Sequence, residues 1–176
     1  MGYHKTMLMA LRKSSWRGRV RDGSDTLSHT LRIKVWPTDM DVFMHMTNTR
    51  YFDVMQISAD LLMSQKGIQG ILKRENLRLK QVYSDLDVYS MLKLFQTYTL
   101  ETAVAGADDG SLAISHTFTR GKRVNGRGLL LFSVSAPETE GEPVHRNRFV
   151  PAHVPPLQDS CRAWINQERL NPPITS

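Results

Sequence analysis

The sequence predicts an α+β domain in which an antiparallel sheet curls around one long buried helix. Three observations carry this. Alternating apolar and polar residues recur in four separate segments, the signature of half-buried strands, and the apolar run Leu129 to Val134 supplies a fifth. A single stretch, residues 48–66, shows helical spacing instead, with its polar residues confined to a narrow stripe. The order is one strand, the helix, then four strands, and a sheet folded around the helix is the simplest arrangement that buries it. The chain has 176 residues, enough for one domain with a sizeable core.

The first strand alternates Leu27, His29, Leu31, Ile33 and Val35 with Ser28, Thr30, Arg32 and Lys34. In the helix, Arg50, Asp53, Gln56, Asp60 and Ser64 form the polar stripe. Thr47 or Asn48 can cap its start, and Gly67 ends it. Residues 77–83, 95–105 and 112–119 read as strands, as does Leu129 to Val134. Asp108-Asp109-Gly110 makes a turn between two of them. Gly121 and Asn125-Gly126 each offer the next turn, and periodicity does not choose between them.

Proline divides the chain. Seven of its eight prolines follow residue 136, and proline lacks the N–H that ladders and helix interiors need. The organisation expected is a basic arm over residues 1–23, a domain over 24–136, and a proline-rich extension over 137–176 with a short helix near 157–170. The formal net charge is +6, of which residues 1–23 carry +5, so the body is nearly neutral. That distribution argues against nucleic acid as a partner. The arm reads most simply as a short helix packed on the domain. An amphipathic segment making weak membrane contact and an organelle transit peptide are the alternatives. The expected location is cytoplasmic, or an organelle matrix if the arm is a transit peptide. A single cysteine, Cys161, excludes an intrachain disulfide and a cysteine zinc cluster, and no metal is expected.

The chemistry concentrates between the first strand and the helix. Asp39, Asp41, His45 and Asn48 fall within ten residues, ahead of a helix start whose free N–H groups can hold a developing negative charge. A carboxylate there can act as base or nucleophile, so acyl transfer fits. The same residue types also serve as plain turn and capping residues.

The string Asp39-x-Asp41-x-x-x-His45-x-x-Asn48-x-x-Tyr51 resembles the signature of hot-dog-fold acyl-CoA thioesterases, the 4-hydroxybenzoyl-CoA thioesterase-like group that includes the plant acyl-carrier-protein thioesterases. Leu94 to Thr102 and Gly106 to Asp109 are similar to a strand and turn of the same group, and the resemblance covers residues 27–136. It implies that Asp41 is the catalytic carboxylate, that the Asn48 amide polarises the thioester carbonyl, and that His45 orients or assists. Asp39 is read as structural. Phe43, Met44 and Tyr51 are candidates for the substrate cleft, Tyr51 as a packing residue of cleft or core. Arg120, Lys122 and Arg123 either hold coenzyme A phosphates or form a solvated turn. Coenzyme A is then part of the substrate, and no separate cofactor is implied.

The departures are specific. Thr47 stands where the group has an asparagine, Met44 where many relatives have glycine, and Phe43 where the plant enzymes have asparagine. Hot-dog hydratases separate their aspartate and histidine by five positions, whereas Asp41 and His45 are four apart. The resemblance implies an acyl-CoA or acyl-carrier-protein substrate and a homodimer or a larger assembly of dimers. A non-enzymatic protein binding an acyl thioester or a partner protein is the alternative, motivated by Phe43 and Met44.

Overall fold

The computed structural model describes residues 21–22, 27–137, 143–151 and 154–157. The N-terminal arm, the expected helix near 157–170 and Cys161 lie outside the described residues, apart from the backbone of 21–22 and the side chain of Leu157. The elements are β1 (Arg21–Asp22), β2 (Ser28–Lys34), α1 (Asn48–Gln65), α2 (Ile68–Arg74), β3 (Arg78–Val88), β4 (Thr97–Asp108), β5 (Ser111–Arg120) and β6 (Arg123–Ser135). All strands belong to one antiparallel sheet in the order β1-β2-β4-β5-β6-β3.

The sheet curls where its register slips, between Gln81 and Tyr83, Val104 and Gly106, and Phe118 and Thr119. Bulges bend a strand and sharpen its twist. The concave face receives α1, whose Tyr51, Val54, Met55, Ser58, Ala59 and Leu62 are buried at helical spacing. The apolar ones pack with Leu31, Leu100, Leu112, Phe118 and Leu130 in the main core. The predicted strands and the long helix are all present.

Three details differ from expectation or settle it. Gly67, at φ +75°, ends α1 but starts a second short helix, α2, that the sequence reading does not anticipate. Its Ile68 and Leu72 join the core. The β5–β6 turn is at Gly121, in the left-handed conformation at φ +63°, while Asn125 and Gly126 lie inside β6. The proline-rich extension returns to the domain. Val144, Phe149, Val150 and Val154 enter the main core, and Leu157 packs on Ala113 and Leu131. Gly106 permits this approach, since a Cβ there would lie 2.7 Å from the Pro156 carbonyl oxygen. No helix among the described residues is long and apolar enough to cross a membrane.

A polar row crosses the core beneath the helix. His29 on β2, Thr102 on β4 and His116 on β5 are register neighbours, and Ser58 of α1 reaches down to them. His29 Nε2 lies 2.8 Å from Ser58 Oγ, Ser58 Oγ 2.7 Å from Thr102 Oγ1, and Thr102 Oγ1 3.0 Å from His116 Nδ1. His116 Nε2 is buried with no hydrogen-bond partner among the described residues. The tautomers of the two rings set the direction in which the protons of this row run. Burial, with the neighbouring His29, pushes His116 down to about 3, so the ring is neutral.

This sets a pH dependence. His116 stays neutral in the fold while the unfolded chain takes a proton near pH 6.5. Stability is therefore complete above about pH 6.5 and falls as pH drops toward 3, by about 1.4 kcal/mol per unit from this group. Urea unfolding at pH 7, 6 and 5 should show a shallower decline for His116→Asn than for the native chain. Equal slopes would show that His116 is not held neutral.

Candidate active site

The site is built on the segment joining β2 to α1. Asp39 anchors it. Its buried carboxylate receives the Trp36 N–H on Oδ2 at 2.8 Å and pairs through Oδ1 with Arg50 Nε at 2.8 Å. Its carbonyl receives the Thr47 N–H at 3.0 Å. One residue thus ties the end of β2 to the start of α1.

Beyond Asp39 the chain makes a narrow turn. Met40 and Met46 form a bridge, and Asp41 N–H donates to the His45 carbonyl at 2.9 Å. Inside the turn, Asp41 Oδ1 accepts the Phe43 N–H at 2.9 Å and the His45 N–H at 3.1 Å. Aspartate favours such self-closing turns. Asp41, Phe43 and Met44 are exposed, and His45 is half-buried. Met44 sits at φ +62°, a conformation that disfavours side chains. That is the physical reason a glycine suits this position.

The helix start follows at once. Thr47, not Asn48, is the cap, its Oγ1 accepting the Arg50 N–H at 3.2 Å. Thr47 therefore replaces the expected asparagine in a role threonine fills well. Asn48 is the exposed first residue of α1, where a helix amide has no internal acceptor.

A second loop supports the first. It crosses the end of the sheet from β3 to β4, and its Lys93 bridges to His45 while the Leu92 carbonyl receives the Met46 N–H at 2.9 Å. Tyr51 holds it. The Leu92 N–H donates to the Tyr51 hydroxyl at 3.1 Å, and the Tyr51 ring stacks edge-on to Phe118 at 5.0 Å. Tyr51 is wholly buried, so its part is to fix these loops from the core side, and it presents no surface to a substrate. Burial raises its phenol pKa, keeping it a neutral hydroxyl.

Asp41, Phe43, Met44, His45 and Asn48 are thus brought together. Arg120, Lys122 and Arg123 are exposed at the β5–β6 turn, at the same end of the sheet as the 41–46 turn. Leu92 and Lys93 are the site residues that the sequence reading missed. Their only signal was a short polar-apolar stretch between two strands. Among the described residues no three His, Cys, Asp or Glu side chains converge as a metal site requires.

A curled antiparallel sheet around one long helix is the hot-dog fold. Residues 35–164 match the thioesterase-like superfamily, and the chain belongs to it. Similar solved structures include a 1,4-dihydroxy-2-naphthoyl-CoA thioesterase from Synechocystis, 11% identical with TM-score 0.58, matched over 68% of this chain and 89% of that one. A probable thioesterase from Escherichia coli is 17% identical, with TM-score 0.59 and coverage of 64% and 86%. A hypothetical protein from Staphylococcus aureus in complex with CoA is 13% identical, with TM-score 0.61 and coverage of 89% and 92%.

The strain at Met44 is testable. Met44→Gly should leave stability unchanged or raise it by up to about 1 kcal/mol, because glycine adopts a positive φ without penalty. Met44→Val should lower it by ~1–3 kcal/mol, since a β-branched residue fits that conformation worst. Denaturant midpoints decide the matter, and the opposite order would remove the strain.

Proposed function

We propose that this protein hydrolyses the thioester of an acyl-CoA or acyl-carrier-protein substrate. The observation that carries the reading is the placement of an exposed carboxylate, Asp41, on the turn that leads into the helix start at Asn48. The superfamily match supports it, as do the thioesterase and CoA-complex structures it is similar to.

In this reading Asp41 Oδ1 keeps the turn closed and Oδ2 carries the chemistry. As general base it takes a proton from water, and the water oxygen attacks the carbonyl carbon. The Asn48 N–H holds the resulting oxyanion, and the helix start favours negative charge there. Collapse expels the thiolate, which recovers the proton. As nucleophile, Asp41 would instead form a mixed anhydride that water then opens. His45 positions the turn through its backbone bonds to Asp41. Phe43 and Met44 line the substrate, and Arg120, Lys122 and Arg123 are offered to the coenzyme A phosphates.

A thiol-release assay over short, long and aromatic acyl-CoAs tests this. Asp41→Ala should lose ~10²–10⁴-fold in rate. Asp41→Asn should lose as much while its remaining oxygen still accepts the two turn amides, which separates chemistry from loop structure. Turnover that survives both changes removes Asp41 from the mechanism. The exposure of Phe43 and Met44 favours the second reading, a non-enzymatic acyl-thioester binder. It is supported if acyl-CoA binds and no member of the panel, nor a carrier-protein substrate, turns over.

We also propose a homodimer as the basic assembly. β3 has eleven residues without proline and pairs within the chain only along its β6 side among the described residues. An open edge of that length is a template for another strand. Sedimentation velocity should give a species of about twice the 20.1 kDa chain mass. A monomer at assay concentration would overturn this.

A further inference from the structure

The sheet has a second apolar surface, on the side away from α1. Side chains alternate across a strand, and Leu131 and Ala113 stand in sequence between the core residues Leu130 and Phe132, Leu112 and Ile114. They therefore point outward. The two are register partners, and Tyr83 of β3 pairs with Leu131 to extend the row. Leu129 and Ser115 form the next row, between Asp85 and Ala103. One row further the face turns polar, with Asp87, Arg127, Thr117 and Glu101. The apolar belt is thus two rows deep at roughly 7 Å per row, close to the ~10 Å breadth of one helix.

The returning segment enters this belt. The Pro155 carbonyl accepts the Ala107 N–H at 3.0 Å, the Pro156 carbonyl lies over Gly106, and the Leu157 N–H donates to Asp108 Oδ1 at 3.3 Å. Leu157 then packs on Ala113 and Leu131, with Tyr83, Ala105 and Leu129 around it. Leu157 is only 3% exposed. A leucine lying on the outside of a sheet keeps its outer side toward solvent unless more chain covers it. The described residues end at Leu157, and residues 158–176 continue from it. In that continuation Cys161, Trp164 and Ile165 follow Leu157 at i+4, i+7 and i+8, the spacing of one helix face. Asp159, Arg162, Asn166 and Arg169 fall on the other faces, and Glu168 ends the stripe.

We propose that the segment from Gln158 to Glu168 docks on this belt as a helix, with Cys161, Trp164 and Ile165 against the outer side chains of Tyr83, Leu129 and Ala105. The lengths agree. The stripe from Leu157 to Ile165 is about 12 Å long, and the belt from β4 across β5 and β6 to β3 is about 14 Å wide. The segment is tethered at the belt by Leu157, which gives it an effective concentration there of roughly millimolar order, and a second copy at ordinary concentration competes poorly with that. The outer face of the sheet is then closed by the chain's own C-terminal segment, and dimers do not stack on it. The inference is independent of the hydrolase reading, and its test needs neither substrate nor turnover.

Cys161 is the single thiol of the chain, so an aromatic disulfide reagent that releases a coloured thiolate reads one position. In the full-length native protein Cys161 should react about 100-fold or more slower than in the urea-unfolded chain, because it is reached only when the segment opens. Leu129→Glu on the belt and Trp164→Ser on the segment should each speed the native reaction by roughly tenfold or more, since each removes apolar contact from the docked face. Circular dichroism and sedimentation velocity on each variant check that fold and assembly are kept. Trp164→Ser leaves the sheet untouched and decides the matter if Leu129→Glu fails to fold. Three results would overturn the proposal. One is a native reaction as fast as that of the unfolded chain. Another is protection that the folded variants retain in full, which sets Cys161 against some other surface. The last is protection lost on dilution together with a fall in sedimenting mass, which makes a second copy the occupant.

Discussion

The candidate site depends on the three-way hold of Asp39. One carboxylate oxygen receives the amide of Trp36, the other faces Arg50, and the residue's carbonyl receives the amide of Thr47. The contact sits at the junction of β2 and α1, and it is buried, where a charge is tolerated only if paired and hydrogen-bonded. The turn at Asp41 projects from this junction. Without it, the carboxylate and the helix start would have no fixed relation.

The helix itself is located by a different device. Most of its buried face is apolar and would pack at many small offsets along the sheet. Ser58 is the exception. It meets Thr102 and His29 through bonds that require one alignment, and His116 completes the row. Polar groups in a core are costly unless satisfied, so a misaligned helix would strand them. The row therefore fixes the helix against the strands, and with it the position of Asn48.

The end of the sheet concentrates function because the topology leaves its loops little else to do. The opposite end is closed by the returning segment, with Pro155 accepting from Ala107 and Val144 from Gly110. The end near Asn48 instead leaves Val42, Phe43, Met91 and Phe95 uncovered. Burial of Tyr51, Leu92 and Tyr98 just beneath keeps those loops on a firm base. Exposed tips on a packed floor suit a surface that contacts something outside the chain.

Local periodicity was enough to read the strands and α1, because spacing along the chain alone decides which residues share a face. The turn at Asp108-Asp109-Gly110 was equally local, and so was the run from Asp39 to Tyr51. What the sequence could not decide was non-local. Gly121 and Asn125-Gly126 were equivalent turn candidates until pairing with β5 and β3 drew Asn125 and Gly126 into β6. Helix α2 depends on Ile68 and Leu72 finding the core, and the proline-rich segment on Val144 and Phe149 doing the same. His29 and His116 lie 87 positions apart in sequence and become neighbours of Thr102 only through strand register. Lys34, Lys93 and Lys122 share one end of the molecule because of strand order. Periodicity reports the face a residue takes; only the closed sheet determines what stands opposite it.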